Sequence, residues 1–134
     1  MNSMRIVLAA LFAIGCSHHA VGGDDGPTAD ASSTSIELAC ESGGATFPAL
    51  EKACSAASDC FVARHTKNCC GTQTAIGLNV SATVAFMTAE SSCDAAYPGC
   101  GCAQFPTQAE DGRTEDMGAI HVRCDSGLCT TFVP

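Results

Sequence analysis

Apolar and polar positions change their spacing several times along this chain, and each change marks a different kind of segment. Ile6 to Gly15 is an uninterrupted apolar run of ten residues preceded by Arg5. That is too short for a helix crossing a hydrocarbon core, which takes about 20 residues. The next stretch, Ser17–Ser35, is small, polar and acidic. It has too little bulky apolar surface to offset the entropy of ordering, so it reads as a flexible tether. Apolar side chains return at Ile36. Gly43, Gly44 and Pro48 punctuate the chain beyond it, and Ala49–Cys54 predicts a short helix with Pro48 in its first turn.

The segment Cys60–His65 (CFVARH) predicts a strand. Alternation places Phe61, Ala63 and His65 on one face and Cys60, Val62 and Arg64 on the other. Thr66-Lys67-Asn68 turns into Cys69-Cys70-Gly71, and Thr72–Leu78 is strand-like but broken at Gly77. Asn79 is a good N-cap for the one long helix, starting at Val80 and ended by Pro98-Gly99. Ile76, Val80, Val84 and Met87 fall on one helical stripe that predicts the core face, with Phe86 and Cys93 on a second covered face. Gln104–Gly118 is a loop whose acidic tip is Glu110–Asp116. Ala119–Cys124 and Leu128–Val133 predict a hairpin around Asp125-Ser126-Gly127. That register sets Cys124 opposite Leu128, puts Ile120, Val122, Leu128 and Phe132 on the core face, and turns His121, Arg123 and Cys129 outward. The sheet expected from these segments joins Cys60–His65 to the C-terminal hairpin beneath the helix.

Composition changes the picture in one respect. The chain has 134 residues with no Trp, one Tyr, six Phe and eleven Cys. A small domain so poor in large side chains needs covalent staples, and this cysteine content is that of a disulfide scaffold in an oxidising compartment. The predicted class is therefore a small, disulfide-rich α+β fold: an antiparallel sheet or hairpin with one main helix. The division is residues 1–15 as an export signal, 16–35 as the tether with its cysteine, and 36–134 as the cysteine-rich domain.

The run Ile6–Gly15 ends in Ala13-Ile14-Gly15-Cys16, which resembles a bacterial lipobox. The resemblance implies acylation of Cys16 (palmitate among the chains), removal of residues 1–15, and a membrane anchor. Ser17 follows that cysteine, as in lipoproteins sent on to the outer membrane. Met4-Arg5 keeps the same charge-then-apolar order as a start from Met1. Setting Cys16 aside leaves Cys40, Cys54, Cys60, Cys69, Cys70, Cys93, Cys100, Cys102, Cys124 and Cys129. Ten is an even number, so five bridges can form with no thiol left over. The pairing itself is open, except that adjacent Cys69 and Cys70 point to opposite sides and favour two different partners.

The cysteine order over Cys54–Cys129 also resembles cysteine-rich lipoproteins of predatory and soil-dwelling bacteria, which implies a location and no particular activity. The CC and CxC elements are similar to the eight-cysteine motif of plant lipid-transfer proteins. Cys93, Gly71 and the strand-like C-terminus depart from that all-helical pattern.

Charge and motifs then exclude several function classes. From Cys16 onward fourteen Asp and Glu face five Lys and Arg, a net charge of −9 with His neutral, which disfavours nucleic acid. No GxSxG, HExxH or phosphate-cradling glycine loop is present. A catalytic cysteine would need a free thiol near His65 or His121, and the even count leaves none. His18-His19 lies in the tether, the Glu110–Asp116 tip lacks the calcium-loop frame, and no CxxC pair marks a zinc site. No cofactor is expected. The sequence thus points to a non-enzymatic binding or structural module at the cell envelope, bound to the membrane through Cys16 and to an envelope partner. The alternative is a protease-inhibitor-like module presenting residues 104–118.

Overall fold

The computed structural model describes residues 34–134. The lipobox, Cys16, His18-His19 and nearly all of the tether lie outside the described residues. The described chain runs β1 (Ser35–Ile36), β2 (Leu50–Glu51), β3 (Cys60–Thr66), β4 (Gln73–Asn79), α1 (Thr83–Ala96), β5 (His121–Asp125) and β6 (Leu128–Phe132). These form three two-stranded antiparallel ladders, β1-β2, β3-β4 and β5-β6. The class is small, disulfide-rich α+β, as expected.

The internal arrangement differs from the expectation in five places, each with a physical reason. First, β3 pairs with β4, Cys60 opposite Asn79 through Thr66 opposite Gln73, and not with the C-terminal hairpin. Asn68 makes that connection compact: its Oδ1 accepts from the Cys70 and Thr72 amides at 3.0 and 3.2 Å, and Gly71 takes φ +75°. Second, Gly77 does not break β4. Its missing side chain admits the β6 backbone, because a Cβ there would lie 2.6 Å from both the Cys129 carbonyl carbon and the Thr130 nitrogen. Third, Leu50–Glu51 is a strand rather than part of a short helix. It pairs with β1, and the following residues continue along β6 through Cys54 N–H to Gly127 O and Cys129 N–H to Lys52 O.

The fourth difference concerns the faces of α1. Asn79 does cap the segment, its Oδ1 accepting from Ser81 N at 2.9 Å, and the chain passes through a 3-10 turn, Val80–Ala82, into the helix. Tyr97 is the last cap, where the helix was expected to end. The buried face, however, carries Phe86, Ala89, Glu90 and Cys93. Of the stripe expected in the core, only Ile76 is buried, and it belongs to β4. Val84 is 78% exposed and Met87 59%. Phe86 wins because it meets Phe47 at 6.1 Å and Phe61 at 6.3 Å between ring centroids, and because Cys93 is bridged inward to Cys40. The core joins these to Leu50, Ala63, Leu78 and Ala82.

The C-terminal hairpin has a shorter turn than expected. Ser126 (φ 52°) and Gly127 (φ 81°) form a two-residue loop with both residues left-handed, the geometry that matches strand twist. Cys124 therefore stands opposite Cys129, and Asp125 opposite Leu128. A one-residue slip exchanges the faces. Cys129, Thr131 and Val133 point inward and are buried. Phe132 instead packs beside His121, centroids 5.8 Å apart, with the Arg123 guanidinium 4.8 Å from its ring centre.

Candidate functional site

The cysteines form the frame on which any site must stand. All ten from Cys40 onward are bridged: Cys40–Cys93, Cys54–Cys124, Cys60–Cys129, Cys69–Cys100 and Cys70–Cys102. The adjacent pair does bond to two different partners, clamping the β3-β4 turn to the segment after α1. The sulfurs of Cys54, Cys60 and Cys129 gather within 4.8 Å, as do those of Cys69, Cys70 and Cys102. Because each is oxidised, neither group offers a thiolate to a metal or a substrate. A disulfide-rich domain of this kind belongs in an extracellular or envelope compartment. Among the described residues, no helix is long and apolar enough to cross a membrane.

The two candidate histidines sit in different environments. His65 is buried, with Nδ1 2.7 Å from Glu90 Oε2 on α1 and Nε2 3.3 Å from the Ala39 carbonyl. The second Glu90 oxygen accepts from the Thr66 amide at 2.6 Å. Both ring nitrogens are thus engaged across the β3-α1 interface, and only Glu90 of the pair also lines a shallow cleft there, with Arg64 and Met87. His121 is exposed beside Phe132. Nothing among the described residues brings the two histidines together.

The loop 104–118 is more ordered than its composition implies. Glu110, expected in the solvated tip, is instead a hub. It pairs with buried Lys52, and its Oε2 accepts from the amides of Gly77 at 2.9 Å and Thr131 at 2.8 Å. Glu115 bonds Arg64 Nη1 at 2.8 Å and Thr107 Oγ1 at 2.9 Å. These bonds, the Arg64 contact first, hold its carboxyl below the usual range. Burial alone would raise the Asp111 carboxyl, but amide donation from Val133 and Arg113 and the nearby guanidinium charges outweigh it and lower the value. The main-chain N–H groups of Gln108, Ala109, Gly112, Glu115, Met117 and Gly118 all find carbonyl partners. The loop consequently presents little free backbone to which an enzyme cleft could pair.

Two grooves flank this frame. One, of about 690 Å³, runs between residues 44–48 and the outer face of α1, and Val84, Ala85 and Thr88 line it. It carries no charged side chain. The other, of about 450 Å³, lies between the β3-β4 turn and the start of the 104–118 loop. Gln73, Gln108 and Thr114 line it beside Phe105, which is 71% exposed. Neither groove could be found by sequence periodicity, since each is built from residues brought together by bridges and turns. Phe105 carried a weak signal, as a bulky aromatic three residues past Cys102 in an otherwise polar loop.

Comparison with protein families, with curated proteins and with solved structures finds no match to this chain.

Proposed function

We propose that this chain is an exported, lipid-anchored module with a non-enzymatic binding or structural role at the cell envelope, delivered to the outer membrane through acylated Cys16. The observation that carries the reading is the closure of the cysteine set. Ten of the eleven cysteines bond to one another, and the one outside the set is the cysteine of the lipobox-like Ala13-Ile14-Gly15-Cys16. An exported protein keeps an odd cysteine for a purpose, and acylation supplies one. The acidic balance supports attachment through acyl chains rather than through basic contacts to anionic headgroups. The inward-turned backbone of 107–118 gives no support to the protease-inhibitor alternative.

The reading is tested by expressing the full chain in a Gram-negative host with labelled palmitate. The expected result is label in the wild-type protein, recovery in the outer-membrane fraction, and loss of both in Cys16→Ala. A wild-type protein that is exported without label would overturn it.

A further inference from the structure

The groove beside Phe105 has the chemistry of a site for a polar, uncharged ligand. Its volume of about 450 Å³ falls within the usual range for small-ligand sites, about 300–1,000 Å³. Such sites combine a mostly apolar lining with a few placed polar groups; here Phe105 and Pro106 supply apolar surface, and the side chains of Asn68, Gln73, Gln108 and Thr114 supply amides and a hydroxyl. The Gln73 amide and the Thr114 hydroxyl make no side-chain hydrogen bond among the described residues, and Asn68 uses its Oδ1 while its amide nitrogen has no partner there. Thr72, in the groove wall, has a buried hydroxyl oxygen with no hydrogen-bond partner. One cation and one anion, Lys67 and Glu41, also line it, so their formal charges cancel and select neither sign.

Three alternatives fit less well. A phosphate or other anion would need more than a single lysine matched by a glutamate. A peptide adding to the edge of β4 finds that edge closed, since Gln108 already bonds Gln73 O and the Ala75 amide there. An apolar ligand would leave the amides unpaired, at a cost. Sugar hydroxyls, by contrast, donate and accept like the amides and hydroxyls in the wall. The apolar C–H face of a pyranose ring matches an exposed phenyl face. Both walls are also fixed, because Cys69–Cys100 and Cys70–Cys102 tie the β3-β4 turn to the chain that leads into Phe105. A rigid site loses less entropy on binding.

We infer that this groove binds a neutral oligosaccharide, with a sugar ring stacked on Phe105 and its hydroxyls held by Gln73, Asn68 and Thr114. The inference deepens the proposed role as an envelope binding module by naming its ligand class. The chemistry of the groove does not depend on the anchor.

Cellotetraose, chitotetraose and maltotetraose are each titrated into the purified, detergent-solubilised full chain, with binding followed by calorimetry. At least one is expected to bind. Phe105→Ala is expected to weaken that binding by about tenfold, the scale of one aromatic stacking contact. Its melting temperature should not change, since Phe105 is exposed. Gln73→Ala should weaken binding as well, and Val84→Ser, in the other groove, should leave it unchanged. No heat with any of the three sugars at about 10 mM, weaker than any useful site, would overturn the inference, as would binding indifferent to both Phe105→Ala and Gln73→Ala. Failure of palmitate labelling would overturn the anchor and leave this titration intact, so the two readings fail separately.

Discussion

Gly77→Ala tests the packing of the two hairpins at a single methyl group. A Cβ at this position would stand 2.6 Å from the Cys129 carbonyl carbon, 2.6 Å from the Thr130 nitrogen and 2.7 Å from the Cys129 oxygen. All three are backbone atoms, so no rotamer change relieves the contact. Nor can β6 move away freely, because Cys129 is bridged to Cys60 on β3 and β3 is paired along its length with β4. Overpacking costs typically about 1–3 kcal/mol, and the cross-linked backbone places this case at the upper end. The lost flexibility of the unfolded chain returns about 0.4–1 kcal/mol. The net destabilisation is therefore about 2 kcal/mol, or a fall in melting temperature of roughly 10 °C for a domain of this size. The assay is thermal unfolding under non-reducing conditions, with Gly99→Ala as the control. A Cβ at Gly99 meets nothing within 4 Å, so that variant should lie within about 0.5 kcal/mol of wild type. A Gly77→Ala protein as stable as its control would refute the proposed contact of β6 on β4.

Glu110→Gln keeps the shape of the hub but removes its charge, leaving buried Lys52 without a counter-ion. A loss of about 2–4 kcal/mol in chemical unfolding is expected, and a neutral result would return Glu110 to the solvated tip. Met87→Ser should change stability by less than about 0.5 kcal/mol, because Met87 is exposed; a cost of core size would restore the stripe that periodicity suggested. Stability should fall at both ends of the pH scale. The carboxyls of Glu51 (amide donation from Ala53 foremost), Asp59 (Ser55 foremost), Asp111 and Glu115 are lowered. Their contribution is complete above the ordinary carboxylate values near pH 4 and is lost as pH falls through their lower folded values. Burial raises the Tyr97 phenol, so its contribution is complete below about pH 10 and is lost as pH climbs past that ordinary value. Melting temperature measured across pH should thus form a plateau between about pH 5 and 9, and a maximum below pH 4 would contradict these assignments.

Local chemistry was legible in the sequence wherever one residue decides the structure by itself. Asn79 caps the helical segment, β3 starts at Cys60, and Cys69 and Cys70 take separate partners because adjacent side chains diverge. What depends on neighbours was not legible. The face of α1 is chosen by Phe47, Phe61 and the Cys40 bridge, whereas the Val80-Val84-Met87 spacing satisfies the same periodicity in solvent. Gly77 reads as a strand breaker until the strand that lies across it is known. The register of the last hairpin turns on whether the loop has two residues or three, and Asp125-Ser126-Gly127 permits both. The groove beside Phe105 is the extreme case, since its walls meet through the Gln108 bonds to β4 and through disulfides whose pairing no spacing rule supplies.

The central claim is that ten sulfurs close on one another and leave Cys16 apart. Its most direct measurement is mass spectrometry of the mature protein, intact and after proteolysis without reduction. The account predicts an acylated Cys16 at the N-terminus, a gain of ten hydrogens on reduction of its five bridges, and linked peptides joining 40 to 93, 54 to 124, 60 to 129, 69 to 100 and 70 to 102. A free thiol among those ten, a bridge to Cys16, or a Cys124–Cys129 link across the last hairpin would contradict it.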